Sequence, residues 1–503
     1  MMRRTLALSS VDMIFILVLG IRAIAYQDLL LHGDGDLASH LALGRTILDE
    51  RAVPEHDPLT FSMADRPFIA HSWLGSVALT LAYRIGGLPA VTLFATAVLA
   101  LAYALVALFL RQRGLDGRVV VAGAFTAVLL GTMHWLARPH IFTVLACAIL
   151  LHALEARRLR LWIFAPLFAL WANLHGGFLL GLLIIGAYAV GAALEAHVGD
   201  DRDWRASALR LAAAFAIAVI ASCLNPYGPA IFAHIAAALS DSVTVALTDE
   251  YRSPDFHHAT GLILLGAIVA SIMVLALIRP RTSFPRLFAT LLTLAAMLHA
   301  ARNVDVFSVV GWPLVWLSVG QTRIQRSGRY WLGDDFVRAE REARWGPWMS
   351  VFFVLALVVV ANGGRVFGRQ ILRNDFSPAR FPVSAVQAAR AASLEGPVFA
   401  HFTWGGYVAF AWPPHRALVT GLKYDPDVVT SYVRIASVFP GWQHELERWR
   451  TRLVLVPTES PLVSALAELP EWCVMHTDST ATLLVRTDLA GGTSSPCRGA
   501  ARR

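Results

Sequence analysis

Lysine is almost missing from this chain. Lys423 is the only one in 503 residues, so nearly all of the 43 basic side chains are arginine. Charge of either sign is scarce: Asp, Glu, Lys and Arg make up 16% of the residues, against about 25% in soluble domains. The four cysteines are too few for a disulfide scaffold and show no metal-type spacing. Nucleotide-binding signatures are absent as well, with no Gly-rich loop after a strand and no Walker lysine. What is abundant is apolar: 56% hydrophobic residues and a mean hydropathy of +0.56. Apolar stretches of roughly 15 to 22 residues, the length that crosses a bilayer, recur from Ser10 to Asn362. A soluble enzyme, a nucleic-acid partner and a disordered chain are all excluded.

The formal charge of +8 is distributed in a readable way. Arginines cluster in short connections: Arg111/Arg113/Arg118, Arg157/Arg158/Arg160, Arg202/Arg205, Arg279/Arg281/Arg286 and the run from Arg323 to Arg344. The first span starts near Ser10 behind Arg3 and Arg4. Further spans lie near 90–110, 119–136, 141–156, 161–175, 178–196, 207–223, 260–278, 284–300, 305–319 and 347–362. All five arginine clusters fall on one side if the short run 72–85 does not cross. This gives about eleven spans, or twelve if it does, with the N-terminus cytoplasmic and the C-terminus outside.

From about Val366 the pattern changes. Strand-like pieces (Pro397–Phe402, Ala417–Thr420, Leu453–Pro457, Ala481–Arg486) alternate with helical ones (Val383–Ala392, Val428–Val438, Pro461–Leu469), as in a small α/β domain. The expected partition is a membrane domain over 1–365 with a large first outer loop at 27–71. An extracytoplasmic α/β domain over 366–490 and a disordered tail over 491–503 follow. Cys473 and Cys497 can pair if that compartment is oxidising.

The outer connections collect polar groups that are costly against lipid, as expected around a hydrated cavity. Asp34-Gly35-Asp36 reads either as a turn with solvated carboxylates or as a general base or divalent-cation site, magnesium or manganese suiting its oxygens. His40 and His71 are surface residues or parts of that site. Arg138 and Arg302, with His140 and Asn303 beside them, lie on the side where arginine is disfavoured. They are snorkelling anchors or a fork for phosphate oxygens. Asn173 and His175 before Gly176-Gly177 close a span or bind substrate, and Glu250 is a further candidate.

The segments "GDGDLASHLALGRTILDERAVPEHDPLTFS" and "HSWLGSVALTLAYRIGG" resemble the GT-C superfamily of polyprenyl-phosphate-sugar-dependent membrane glycosyltransferases. "RPHIFT", "WANLHGGFLLG", "LNPYG", "EYRSPDF", "ARNV" and "WGGY" extend the resemblance to an uncharacterised bacterial branch, over about residues 20 to 486. The resemblance implies a polytopic helical GT-C-like fold in the bacterial cytoplasmic membrane, in contact with membrane lipids. It also implies a polyprenyl-phosphate-linked sugar donor and a catalytic carboxylate in the first outer loop, at Asp36 or, second, Asp34. Arg138 and Arg302 would then hold the donor phosphate. His40, His71, His140, Asn173, His175, Glu250 and Asn303 would supply substrate contacts. Position 72 is Ser where an acidic residue is expected, and 251 is Tyr where Trp is expected. The rival reading is a non-enzymatic lipid-linked saccharide transporter, which calls for inverted repeats. None is found.

Overall fold

The computed structural model describes residues 7–21, 27–199, 201–240, 249–278, 282–320, 340, 342–422 and 425–487. Arg3, Arg4, Arg279, Arg281, Lys423, Cys497, most of the run from Arg323 and the tail from Gly491 lie outside them. The chain is mainly helical with a small C-terminal sheet, as expected. It forms two compact units. One holds the residues up to Gln27 together with Thr92–Leu372, and the other holds Asp28–Val91 together with the chain from Arg373 onward. The sequence-based partition cuts the chain differently. The first outer loop falls in the same unit as the C-terminal sheet.

Among the described residues, five helices are long and apolar enough to cross a membrane: Trp73–Gln112, Gly117–His134, Phe178–Gly199, Arg202–Ser222 and Ala301–Gly320. Shorter apolar helices include Ser10–Gly20, His140–Leu154, Phe284–His299 and Pro347–Ala361. The protein is a multi-pass membrane protein. Large apolar side chains that face outward, such as Leu209 and Ile220 on one helix and Ile263 and Ile272 on another, are lipid-facing in this setting. The helix Trp73–Gln112 is broken at Gly86 and Gly87, where the backbone leaves helical dihedrals before Pro89. The run from Trp73 to Ile85 is therefore a separate short helix, roughly 20 Å long against a hydrocarbon core of about 30 Å. Ala230–Ser240 is a helix between the expected spans 207–223 and 260–278.

Side chains close the starts of two apolar helices. Ser9 caps Ser10–Gly20 by accepting from the Asp12 N–H. Asp12, buried in turn, accepts from the N–H groups of Gly346 and Met349 at 2.9 and 3.1 Å, which closes the start of Pro347–Ala361. A helix leaves its first N–H groups without internal partners, and a carboxylate answers both that need and the positive end of the dipole.

The second unit is built on a four-stranded sheet in the order Val398–Ala400, Leu453–Pro457, Ala481–Arg486, Trp472–Thr477. The first pair is parallel and the others antiparallel. A parallel pair needs a long crossover, and here it carries Gly405–Ala411, Pro426–Ala436 and Trp442–Arg448. Ala417–Thr420 is not a strand of the sheet. Ala417 instead makes isolated bridges to Val398 and to Thr60 of the first loop. The edge strand Trp472–Thr477 escapes the sequence reading because a register shift between Val474 and His476 breaks its alternation. Cys473 on that strand is disulfide-bonded. Met63 of the first loop joins Phe399, Val454, Ile435 and Leu484 in one core. That shared core is why the loop belongs to this unit.

Candidate active site

In the first unit three chain segments meet in one charged cluster. The helix Gly117–Gly131 tightens into the turn Thr132–His134, and Trp135 then runs extended. Pro139, which cannot donate an N–H, starts the helix His140–Leu154. His134, Arg138 and His140 thus lie on one tight connection. The short turn Asp249–Tyr251 supplies Glu250. The turn Ala301–Asn303 supplies Arg302 and is tied to the second segment by the Ala301 N–H donating to the Arg252 carbonyl at 2.9 Å. Asp305 follows on Val304–Val306, just before a π-helical turn at Phe307–Gly311.

Glu250 is the hub. Arg138 Nη2 donates to its Oε2 at 2.6 Å, His134 Nε2 lies 3.0 Å from the same oxygen, and Arg302 Nη1 lies 3.3 Å from Oε1. The Arg302 guanidinium also stacks over the Tyr251 ring at 4.6 Å, a cation–π contact. On its other side His134 Nδ1 is 3.1 Å from Asp305 Oδ2, and His140 Nε2 is 3.6 Å from that oxygen. Two guanidinium groups and the His134 ring thus face two carboxylates, and Arg138 Nη2 also lies 3.3 Å from His134 Nε2. Burial pulls the Glu250 pKa upward, but Arg138, the His134 hydrogen bond and Arg302 outweigh it and hold the carboxyl well below the usual carboxylate range.

The other candidates of this unit are placed as follows. Asn173 donates its amide N–H groups to the carbonyls of Ala169 and Leu224, and Asn303 donates to Ala296. Both amides close helix ends. His175 Nδ1 accepts from the Gly177 N–H at 3.1 Å and meets the Thr143 hydroxyl at 2.8 Å, which in turn accepts from the Trp171 indole. His134 and Asp305 are absent from the sequence-derived candidates. The available signal was an ionisable residue inside a span-length apolar run, which marks function by default.

Asp36 belongs to the second unit and opens the helix Asp36–Glu50. Gly35 before it has φ +85°, the left-handed conformation that favours glycine, and a Cβ there would meet the Thr403 carbonyl. Asp34 Oδ1 accepts the Asp36 N–H at 3.1 Å, which steadies the helix entry. The Asp36 carboxylate lies so close to Gly421 that a methyl group at 421 would collide with its Oδ1. His40, one turn on and buried, pairs through Nδ1 with Ser76 Oγ at 2.9 Å. His71 is half-buried just before the helix that starts at Trp73.

Among the described residues, the group able to hold a metal ion is His134, His140 and Asp305, with ligand atoms within 4.8 Å of one another. Two imidazoles and a carboxylate suit zinc or iron better than magnesium. Glu250 against the far nitrogen of His134 is where an orienting carboxylate would sit. Asp34 and Asp36, expected to hold any cation, do not form such a group among the described residues.

No family model matches the chain, and no curated protein matches it. Solved structures do. The archaeal oligosaccharyltransferase AglB of Archaeoglobus fulgidus, in complex with an inhibitory peptide and a dolichol-phosphate, superposes with a TM-score of 0.51 at 14% identity, over 94% of this chain and 73% of that one. The apo form of the Archaeoglobus fulgidus oligosaccharyltransferase gives 0.52 at 13%, over 89% and 69%. ArnT from Cupriavidus metallidurans, bound to undecaprenyl phosphate, gives 0.50 at 13%, over 96% and 98%. The fold is GT-C.

Proposed function

We propose that the protein is an inverting GT-C-type glycosyltransferase that moves a sugar from a polyprenyl-phosphate donor to an extracytoplasmic acceptor in the bacterial cytoplasmic membrane. The observation that carries this reading is the convergence of Arg138 and Arg302 on the single carboxylate of Glu250. Two guanidinium groups held on one carboxylate are prearranged for another oxyanion, and a phosphate can take the place that Glu250 occupies. The GT-C fold adds the neighbours solved with dolichol-phosphate and undecaprenyl phosphate.

In the proposed reaction the acceptor oxygen attacks the anomeric carbon as Asp36 takes its proton. The bond from that carbon to the phosphate oxygen breaks, and polyprenyl phosphate leaves with inversion at the sugar. Arg138 and Arg302 stabilise the charge gathering on the departing phosphate. Asp34 keeps Asp36 in place through the helix entry, and His40, His71 and His175 are candidates for sugar or acceptor contacts. A divalent cation, if bound, adds positive charge at the phosphate, and the His134, His140 and Asp305 group is suited to hold it.

The test is turnover by purified protein with a panel of polyprenyl-phosphate sugars. Asp36→Asn keeps shape and removes basicity, so it should cut turnover about a hundredfold or more while the melting temperature stays unchanged. Gly421→Ala should push the carboxylate aside and cost roughly tenfold, in kcat rather than in donor KM. Turnover of Asp36→Asn close to wild type would place the base elsewhere. Failure to transfer any sugar, combined with movement of intact donor across vesicles, would favour a transporter instead.

A further inference from the structure

The helix His140–Leu154 has a second polar feature at its other end, roughly 22 Å from the first at 1.5 Å per residue. There a cavity of about 700 Å³ is lined by Arg157, Arg158 and Arg160 together with Gln112, His152 and Ile163. His152 is spoken for, with Nε2 donating to the Leu105 carbonyl at 2.8 Å. The arginines are not. Among the described residues no carboxylate pairs with any of the three, and the nearest in sequence, Glu155, is clamped by Arg113 at 3.1 Å and by both Arg286 nitrogens at 3.0 and 2.9 Å. Arginines serving only as topological anchors need no cavity between them.

The surface leading away from the cavity is apolar. Trp162, next to the lining residue Ile163, is 69% exposed, and Leu170, two turns further along the same chain, is 54% exposed. With the exposed Pro166 they fall at spacings of four, one stripe on one helix face. Tryptophan at the edge of an apolar helix marks the headgroup level of a bilayer, and a stripe below it fits an acyl chain.

We infer that this cavity is a binding site for the headgroup of an anionic phospholipid, its phosphodiester held by Arg157, Arg158 and Arg160 and one acyl chain laid along Trp162 and Leu170. The site lies at the end of the helix remote from Glu250 and is independent of sugar transfer. It selects charge: each arginine near an anionic lipid surface favours binding roughly fivefold, so three give on the order of a hundredfold over a zwitterionic lipid. The apolar stripe separates a lipid from a free phosphate, which has no use for it.

The experiment is native mass spectrometry of the full chain in detergent, titrated with phosphatidylglycerol or with phosphatidylcholine of the same acyl chains. The wild type should retain phosphatidylglycerol at least tenfold more strongly, and millimolar glycerol 3-phosphate or inorganic phosphate should not displace it. Arg157→Gln/Arg158→Gln/Arg160→Gln should abolish the preference. Ala156→Trp, which fills the mouth with the arginines intact, should do the same, and it decides the matter if the triple variant fails to insert. Arg138→Gln/Arg302→Gln should leave the preference untouched, which separates this site from the donor site. Undiminished phosphatidylglycerol binding in the filled variant overturns the site. Displacement by glycerol 3-phosphate overturns the lipid in favour of a soluble anion.

Discussion

Glu155 and Glu250 are each clamped by two arginines, at opposite ends of the helix His140–Leu154, yet they are built for different ends. Both Glu155 oxygens are engaged by Arg286, at 3.0 and 2.9 Å, and the Tyr188 hydroxyl adds a third donor at 3.0 Å. Its side chain is 6% exposed. Glu250 takes its two closest donors on one oxygen, leaves the other to Arg302 at 3.3 Å, and is 19% exposed. Helix ends supply most of the first clamp, and short turns supply the second. A closed clamp on rigid elements is a pin. An open one on turns is a place where one anion can be exchanged for another.

The comparison fails or gains force by measurement. The largest expected effect is at the pin: Glu155→Ala strands two half-buried guanidinium groups and should cost about 2–3 kcal/mol, read as a lowered melting temperature in detergent. A loss no larger than that of an exposed pair would remove the distinction. At the open clamp the effect should appear in binding instead. Glu250→Gln removes the anion competing for Arg138 and Arg302, so donor affinity should rise by roughly tenfold, about 1.4 kcal/mol, whereas Arg138→Gln should lower it. Weaker donor binding in Glu250→Gln would show that Glu250 holds the arginines for the donor rather than against it.

Acid titration gives a smaller signal of defined sign. The Glu250 carboxyl is depressed in the folded protein, so its stabilising contribution is present above the unfolded value of about 4.3. It is lost only as pH falls through the lower folded value. The difference in melting temperature between wild type and Glu250→Gln should therefore be flat from neutral pH to about pH 5, and shrink only in stronger acid. A difference that already declines near pH 6 would contradict the tight clamp. Smallest of all, Arg302→Lys keeps the charge but weakens the stacking on Tyr251, an effect of about 0.5–1 kcal/mol visible in thermal unfolding.

Most of the fold was legible in the sequence because the membrane demands long apolar runs. Phe178–Gly199, Phe284–His299 and Pro347–Ala361 start and stop within a few residues of the expected spans. Leu453–Pro457 and Ala481–Arg486 form where alternation and length place them. What could not be read was long-range. Nothing local ties Met63 or Thr60 to a sheet more than 300 positions later. Arg113 and Arg286 looked like anchors until Glu155 was seen between them. Likewise Gly35 and Gly421 look like loop punctuation, and only the fold reveals that Gly35 makes room for the Thr403 carbonyl and Gly421 for the Asp36 carboxylate. Arg138, Arg302 and Glu250 were each readable as candidates, but their meeting is a property of three separated turns.

The cap that Asp12 provides has a consequence in time. Its partners at Gly346 and Met349 lie 334 and 337 positions downstream. At ordinary rates of about 5–20 residues per second, the ribosome delivers them some 17 to 70 seconds later. Through that interval the nascent first helix carries a carboxylate with only Ser9 beside it, and the membrane gives such a group no welcome. The partners that complete the Asp12 contacts therefore come only with the helix Pro347–Ala361. A chain cut short before residue 346 lacks both N–H donors that Asp12 accepts from.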